Sequence, residues 1–356
     1  MSRVAVVGGA GYVGGFLCRA LADAGMTPVA VVRPGSTFHL DRLGIEAVSR
    51  EAAASGPAFD AVINLAYPAA GSVYGFSTQN EALLATIREL GSAGRRVIQV
   101  SSQAVFGMAL EVSQAPERPP VRRESLYVES KLELEAMLLD ELKDYTLDIV
   151  RLGNVWGPGS ATWTGTIAQR LLFGEAVAVK GHDGYSNLTD VVNLSSYLTH
   201  LAGDRGCDGD VRFHHLAEFA DVRWSHWINR VASHLDVEPV LTTRPPYPGK
   251  PLSEVGGLVK SHARALASDL KESRYAGSLL RSSVRSMPDR ASRGVRRKWA
   301  SGRASINEGQ GEDAFLTVIG CETRFEPVID PAWAPPVDTE ASWRAVASWL
   351  NDVGYT

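Results

Sequence analysis

The first 155 residues alternate short apolar runs with longer stretches of helical spacing. Residues 4–7, 29–32, 61–65, 97–100 and 147–151 are apolar runs of strand length, rich in Val and Ile. Between them, residues 13–24, 79–93 and 127–143 space apolar side chains by threes and fours, which predicts helices. This alternation predicts a parallel sheet with helices on both faces, because parallel neighbours need crossover connections. Right-handed crossovers make such a sheet doubly wound, and a ligand then sits beyond the carboxyl ends of its strands.

After Trp156-Gly157-Pro158-Gly159 the rhythm loosens. A helix over 166–173 and a strand over 176–179 are expected, then a loop entering a helix over 187–201, a strand over 211–216 and a helix over 224–235. Residues 244–249 are a Pro-rich connector, 301–312 a Gly- and polar-rich loop, 314–320 a strand and 340–351 a final helix.

The first strand runs directly into Gly8-Gly9-Ala10-Gly11-Tyr12-Val13-Gly14 and then a helix. Gly8 allows a tight turn, Gly11 lets the backbone approach a pyrophosphate, and Gly14 permits close helix packing. The phosphates would rest on the helix N-terminus, where free N–H groups and the dipole favour anions. Gly8, Gly11, Tyr12, Val13 and Gly14 are therefore candidate dinucleotide contacts. The expected fold is α/β, a Rossmann-like doubly wound parallel sheet with a smaller C-terminal α/β substrate lobe. Residues 1–155 form the dinucleotide-binding part and 186–216 return to it. Residues 156–185 and 217–356 form the lobe, with a basic insertion at about 250–312. Arg33 follows the second strand, where an acid would bind a ribose 2′-hydroxyl. An Arg there, helped by Ser36, suits a 2′-phosphate and favours NADP over NAD; stacking on adenine is the alternative.

Composition narrows the class. A 45 % hydrophobic, 21 % charged chain is that of an ordinary globular protein, and a net charge of −4 argues against general nucleic-acid binding. The exception is residues 260–303, with twelve Lys/Arg against three acids. A solvated helical face, a lid offering Arg to a phosphate, and a patch for an acidic carrier all fit it. Cys18, Cys207 and Cys321 have no metal or redox spacing, which fits a reducing cytosol. No signal-peptide pattern precedes the first strand, and no apolar run nears the ~20 residues that span a membrane. Adjacent His214 and His215 would point to opposite faces of a strand, so structural roles are favoured over a shared metal. Trp224 and Trp227 read as packing.

Candidate chemistry lies in Tyr127-Val128-Glu129-Ser130-Lys131, which sets a phenol and an ammonium one helical turn apart. A nearby ammonium favours phenolate, so the Tyr127 pKa is expected below its ordinary ~10. A phenol so tuned serves as general acid or base near neutral pH.

With the glycine turn, Asn64-Leu65-Ala66, Val100-Ser101-Ser102, Tyr127…Lys131 and Arg151-Leu152-Gly153-Asn154-Val155-Trp156-Gly157-Pro158-Gly159 in that order, the chain resembles the extended short-chain dehydrogenase/reductases, the NAD-dependent epimerase/dehydratase family. The likeness covers roughly residues 1–240. It implies that Tyr127 exchanges a proton with a substrate oxygen, that Lys131 holds the nicotinamide ribose and lowers the Tyr pKa, and that Ser102 hydrogen-bonds the same oxygen. A strand-end hydroxyl capping backbone is the plain alternative for Ser102. Leu65 and Ala66 would line the dinucleotide, and Ser102, Gln103 and Asn154 the substrate. Leu83, Leu84, Ile87 and Leu90 would be core and would also join the Tyr127 helix in a homodimer interface.

Two departures narrow the substrate. The family's dehydratases carry an acid pair where this chain has Gln103 and Ala104, which disfavours a 4,6-dehydratase. Many sugar-nucleotide members carry Arg-Asp where this chain has Ser186-Asn187, so either another basic residue grips the substrate phosphate or the substrate is not a standard nucleotide sugar. The expected protein is a cytoplasmic NAD(P)-dependent enzyme moving hydride at a hydroxyl/keto carbon of a sugar-like small molecule, phosphorylated or nucleotide-linked ones included. A reductase is slightly favoured over an epimerase with retained NAD. A non-catalytic NADP-binding redox sensor and a reductase of small apolar ketones are further alternatives.

Overall fold

The computed structural model describes residues 2–33, 35, 37–68, 73–91, 96–106, 126–204, 209–243 and 314–355. The basic insertion, the Pro-rich connector, the loop over 301–312, Ser36 and Cys207 lie outside them.

Seven parallel strands form the central sheet: β1 (Arg3–Val7), β2 (Thr27–Val31), β3 (Glu46–Val48), β4 (Ala61–Asn64), β5 (Arg96–Ser102), β6 (Thr146–Leu152) and β10 (Val211–Leu216). Their order is β10-β6-β5-β4-β1-β2-β3, which reverses direction between β1 and β4. That reversal is the topological switch point, where a crevice opens at the carboxyl edge. The expected doubly wound sheet is present. β3, a three-residue edge strand, is too short to leave a period in the sequence.

Helices cover both faces because every strand of a parallel sheet is buried on both sides. On one face α1 (Tyr12–Asp23) and α7 (Val191–Gly203) bury Leu17, Leu21, Leu194, Tyr197 and Leu198 against Val4, Val6, Ile98 and Val150. On the other, α4 (Val73–Leu90) and α5 (Leu126–Glu141) bury Leu84, Ile87, Leu134 and Leu138 against Val97, Leu147 and Ile149. The α4 residues expected to serve core and dimer together are thus largely spent in the chain's own core. α4 begins six residues earlier than the spacing predicts, and ends before Gly91. Short helices α2 (Phe38–Arg42) and α3 (Arg50–Ala54) flank β3.

The remaining elements build a second layer beyond the sheet edge. β7 (Asn154–Trp156) pairs with β9 (Leu188–Asp190), and β8 (Ala176–Val179) with β11 (Val240–Thr242). α6 (Thr166–Leu172) and α8 (Trp224–His234) pack with Trp156, Trp224 and Trp227, all fully buried. Residues expected as a strand over 314–320 are instead a helix, Ala314–Ile319. Its apolar run is short enough to suit either period, and the helix buries Leu316 and Ile319 three residues apart. A terminal helix, Thr339–Asp352, is N-capped by Asp338, whose side chain accepts from Ala341 N at 2.7 Å.

One of the fastenings between the sheet and this layer is Asn187. Asn187 has φ 45°, uncommon for a non-glycine residue but tolerated by Asn. Its carbonyl accepts from Asn154 N at 2.8 Å, its Nδ2 donates to Thr323 O at 2.8 Å, and its Oδ1 accepts from Phe325 N at 2.9 Å. A Cβ on Gly153 would sit 2.0 Å from Asn187 O and 3.2 Å from Ala217 Cβ. Four passages of the chain therefore meet here.

Candidate active site

Gly8 turns out of β1 with φ 83°, a left-handed conformation that glycine adopts freely. A Cβ on it would meet Ala66 N at 3.0 Å, and one on Gly14 would lie 2.4 Å from Gly9 O. The turn is thus closed by backbone against backbone. Gly9, which the spacing rule passes over, is equally constrained, since its Cβ would lie 2.7 Å from Ala30 Cβ. Gly11 caps α1 without any side-chain hydrogen bond, leaving the first-turn N–H groups for an anion. These features fit a dinucleotide pyrophosphate. Tyr12 and Val13 can offer it only backbone. The Tyr12 ring packs over Gly159 with its hydroxyl near Gly157, and Val13 packs on the core.

The other wall of the crevice is the end of β4. Leu65 N donates to Val7 O at 2.9 Å, and Ala66 N to Asn64 Oδ1 at 3.0 Å. Buried Asn64 then donates to Gln99 Oε1 at 2.8 Å, and Gln99 to Val100 O at 2.7 Å. This amide chain links β4 to β5 and sets the height of both strand ends; its only trace in the sequence is polar residues inside apolar runs. Arg33 is exposed two residues beyond β2, on the same edge.

α5 carries Tyr127, Lys131 and Glu135 at four-residue intervals, one stripe facing the sheet. Glu135 is buried and held by Arg151 from β6, with Nη2–Oε2 at 2.8 Å, while Ser101 donates to its other oxygen. Arg151 itself lies 5.1 Å from the Phe106 ring centroid and 4.7 Å from that of Phe213. Asn80 on α4 donates to Ser130 O at 2.9 Å and to Glu133 at 2.6 Å. Three side chains from outside α5, Arg151, Ser101 and Asn80, thereby hold it in register. Lys131 is 5 % exposed and its Nζ donates to Val100 O at 3.2 Å. It lies 5.9 Å from the Tyr127 ring centroid and 5.3 Å from that of Tyr67.

This placement corrects one expectation. Burial lowers the Lys131 pKa to about 8, with Glu135 opposing the shift. The Tyr127 pKa is raised rather than lowered, chiefly by desolvation, although a hydrogen bond from Ser102 favours the phenolate. Residue spacing puts the ammonium beside the phenol but does not say where it points. Here it is directed at the Val100 carbonyl.

Ser102 ends β5; its Oγ accepts from Ala104 N at 3.2 Å, as a backbone cap, and engages the Tyr127 hydroxyl. Gln103 is buried, and neither its Oε1 nor its Nε2 has a partner among the described residues. Asn154 donates its amide to Ser186 O at 2.8 Å. Ser186 and Asn187, at the Arg-Asp position, are buried and engaged in the backbone fastening described above. His214 bonds Tyr197 Oη at 2.7 Å and Asp148 at 2.8 Å, whereas His215 packs on Phe106 from the opposite face. Among the described residues no group of three His, Cys, Asp or Glu could hold a metal. None of the described helices is long and apolar enough to cross a membrane.

Solved structures of similar fold agree with this architecture. A UDP-glucose 4-epimerase from Thermotoga maritima, solved with UDP-glucose, superposes with a TM-score of 0.62 at 16 % identity, covering 99 % of each chain. The UDP-glucose 4-epimerase of Bifidobacterium longum, with NAD⁺ and UDP, gives 0.57 at 19 % identity over 70 % of this chain and 88 % of that one. A dTDP-glucose 4,6-dehydratase from Bacillus anthracis, with NAD, gives 0.53 at 16 % identity over 68 % and 85 %. No curated protein matches this chain in sequence. The model of the NAD dependent epimerase/dehydratase family matches residues 4–188, more than half of the chain and all of the crevice just described. This protein therefore belongs to the NAD-dependent epimerase/dehydratase family.

Proposed function

We propose that the protein transfers hydride at a hydroxyl/keto carbon of a sugar-like substrate, with Tyr127 as general acid/base. The observation that carries this reading is the meeting of Ser102, Tyr127 and Lys131 at the carboxyl edge of the sheet, beside the glycine turn. Bound nicotinamide supplies or receives the hydride. The chain's own residues do the rest. Tyr127 gives or takes the proton at the substrate oxygen, Ser102 hydrogen-bonds that oxygen, and Lys131 holds the nicotinamide ribose. Leu65 and Ala66 line the dinucleotide, while Gln103 and Asn154 line the substrate. Gln103 has two buried amide atoms to offer a polar ligand, and burying them unpaired is costly.

The reductase direction is favoured on two grounds. A Tyr127 pKa raised above its ordinary value keeps the phenol protonated at neutral pH, ready to donate to a carbonyl oxygen. Exposed Arg33 suits the 2′-phosphate of NADP(H). An epimerase with retained NAD is the second reading, motivated by the full-length likeness to the Thermotoga maritima enzyme. Residues 156–185 and 217–356 would form the lobe that closes over the substrate. A homodimer would have to use the outer faces of α4 and α5, where Leu139 is exposed.

The test begins with the dinucleotide that co-purifies, identified by mass, followed by titration with NADH and NADPH. Turnover of nucleotide sugars and of their keto derivatives is then compared in wild type and Tyr127→Phe. A loss of about 10²–10⁴-fold is expected in the variant. Full turnover by Tyr127→Phe would refute the catalytic role, and tightly retained NAD would overturn the Arg33 argument.

A further inference from the structure

Tyr67 stands three residues beyond Asn64, the last residue of β4, in the crevice and outside every motif of the sequence. Its ring meets that of Tyr127 edge to face, with centroids 5.9 Å apart and planes at 84°. Both rings lie over the Lys131 ammonium, Tyr67 the nearer at 5.3 Å against 5.9 Å. Tyr67 is 54 % exposed and Tyr127 42 %, so the pair is not held together by deep burial. A half-exposed aromatic laid over a buried cation is a specific arrangement, because the ring face attracts positive charge and does so more strongly where water is excluded.

The geometry points to Tyr67 as a positioning residue: with Tyr127 it forms an aromatic clamp that keeps the Lys131 ammonium charged and beneath the reacting phenol. The inference rests on Lys131 and Tyr127 acting as proposed above. The other groups facing Lys131 come from each element around it. Glu135 lies one turn on along α5, itself paired with Arg151 of β6 and Ser101 of β5. Val100 O accepts from Nζ, and Ser102 addresses the Tyr127 hydroxyl. Of these, only Glu135 carries a charge that opposes the cost of burying the ammonium, and it reaches Lys131 from the side away from the phenol. Tyr67 supplies attraction on the reacting side.

The chain has only seven lysines, so full-length protein labelled with ¹³C at the lysine Cε positions gives a simple spectrum. The Lys131 signal is assigned by its loss in Lys131→Met, and each protein is titrated from neutral to alkaline pH. Wild-type Lys131 should titrate near 8. In Tyr67→Leu it should titrate about one unit lower, equivalent to ~1.4 kcal/mol, while Tyr67→Phe, which keeps the ring, should match wild type. Unchanged titration in Tyr67→Leu overturns the proposal, as does a shift in Tyr67→Phe equal to that in Tyr67→Leu, which would assign the effect to the hydroxyl. Both variants alter a half-exposed side chain and open no core cavity. The titration needs neither substrate nor turnover. Persistent activity in Tyr127→Phe would therefore sink the catalytic reading while leaving the clamp to stand or fall by the Lys131 signal.

Discussion

Replacing Glu135 by Leu leaves Arg151 in the interior without its carboxylate. The pair is almost fully buried, at 4 % and 1 % side-chain exposure, and joined by two contacts, Nη2–Oε2 at 2.8 Å and Nε–Oε1 at 3.3 Å. An uncompensated buried charge costs about 3–5 kcal/mol, whereas the loss of a solvent-exposed pair costs about 1 kcal/mol or less. The Phe106 and Phe213 rings beside the guanidinium recover a part of this, so ~3 kcal/mol is the better expectation. At ~2.1 cal/mol/K per residue, that lowers Tm by about 4 °C if the chain unfolds as one unit. Arg151→Met should also destabilise, because Glu135 then keeps only the Ser101 hydrogen bond and the neighbouring Lys131 ammonium. The double variant Glu135→Leu/Arg151→Met should regain part of the loss, since an apolar pair of similar volume needs no desolvation, while Lys131 still lacks the Glu135 charge. Urea unfolding of the four proteins completes the cycle. Single variants within 1 kcal/mol of wild type, or a double variant as unstable as the sum of the two, would refute a buried ionic fastening of α5.

Two further outcomes follow from the geometry. Gly14→Ala should abolish dinucleotide binding in a fluorescence titration with NADPH or NADH, because the new Cβ has 2.4 Å to the Gly9 carbonyl and the turn must open; binding within twofold of wild type would contradict that. Glu218 accepts from Asp190 N at 2.7 Å and Asn193 at 2.9 Å, while burial raises its pKa to about 7. A carboxyl raised in the folded state favours folding below its unfolded value near 4.5 and loses that advantage as pH rises through 7. Stability should therefore fall across this window by on the order of 3 kcal/mol, and Glu218→Gln should flatten the decline in pH-dependent urea melts.

The parts of this fold that could be read from the sequence are those set by local demands. The turn at Gly8 and Gly14 needs glycine whatever surrounds it, and the strands of the parallel sheet are apolar because both of their faces are covered. Residues 314–319 defeated pattern reading because six residues, five of them apolar, fit a strand or a helix equally, and only packing against the Trp-rich cluster decides between them. At the site, the residues Ser102, Tyr127 and Lys131 could be named from their motifs, but the direction of the Tyr127 shift could not. That depends first on how far the sheet edge desolvates the phenol, and Lys131, which could oppose the shift, points to the Val100 carbonyl. Tyr67 was invisible for a related reason: its partners are sixty and more residues away, and no local pattern marks it.

The fastening at Asn187 bears on how the molecule can move. A layer attached to a sheet by separate strands of chain could shear in several directions. Here Gly153, Asn187, Ala217 and the backbone of Thr323 and Phe325 share one knot. Further bonds repeat the tie: Val328 exchanges both backbone bonds with His215, Val337 and Asn193 bond each other, and Ser342 donates to Asp190, so the outer layer is stitched to the sheet at several points. Asn154 belongs to this seam through its bond to Ser186 O, whereas Tyr127 and Ser102 belong to α5 and β5. The seam thus fixes Asn154 relative to the acid/base pair rather than letting the two swing apart.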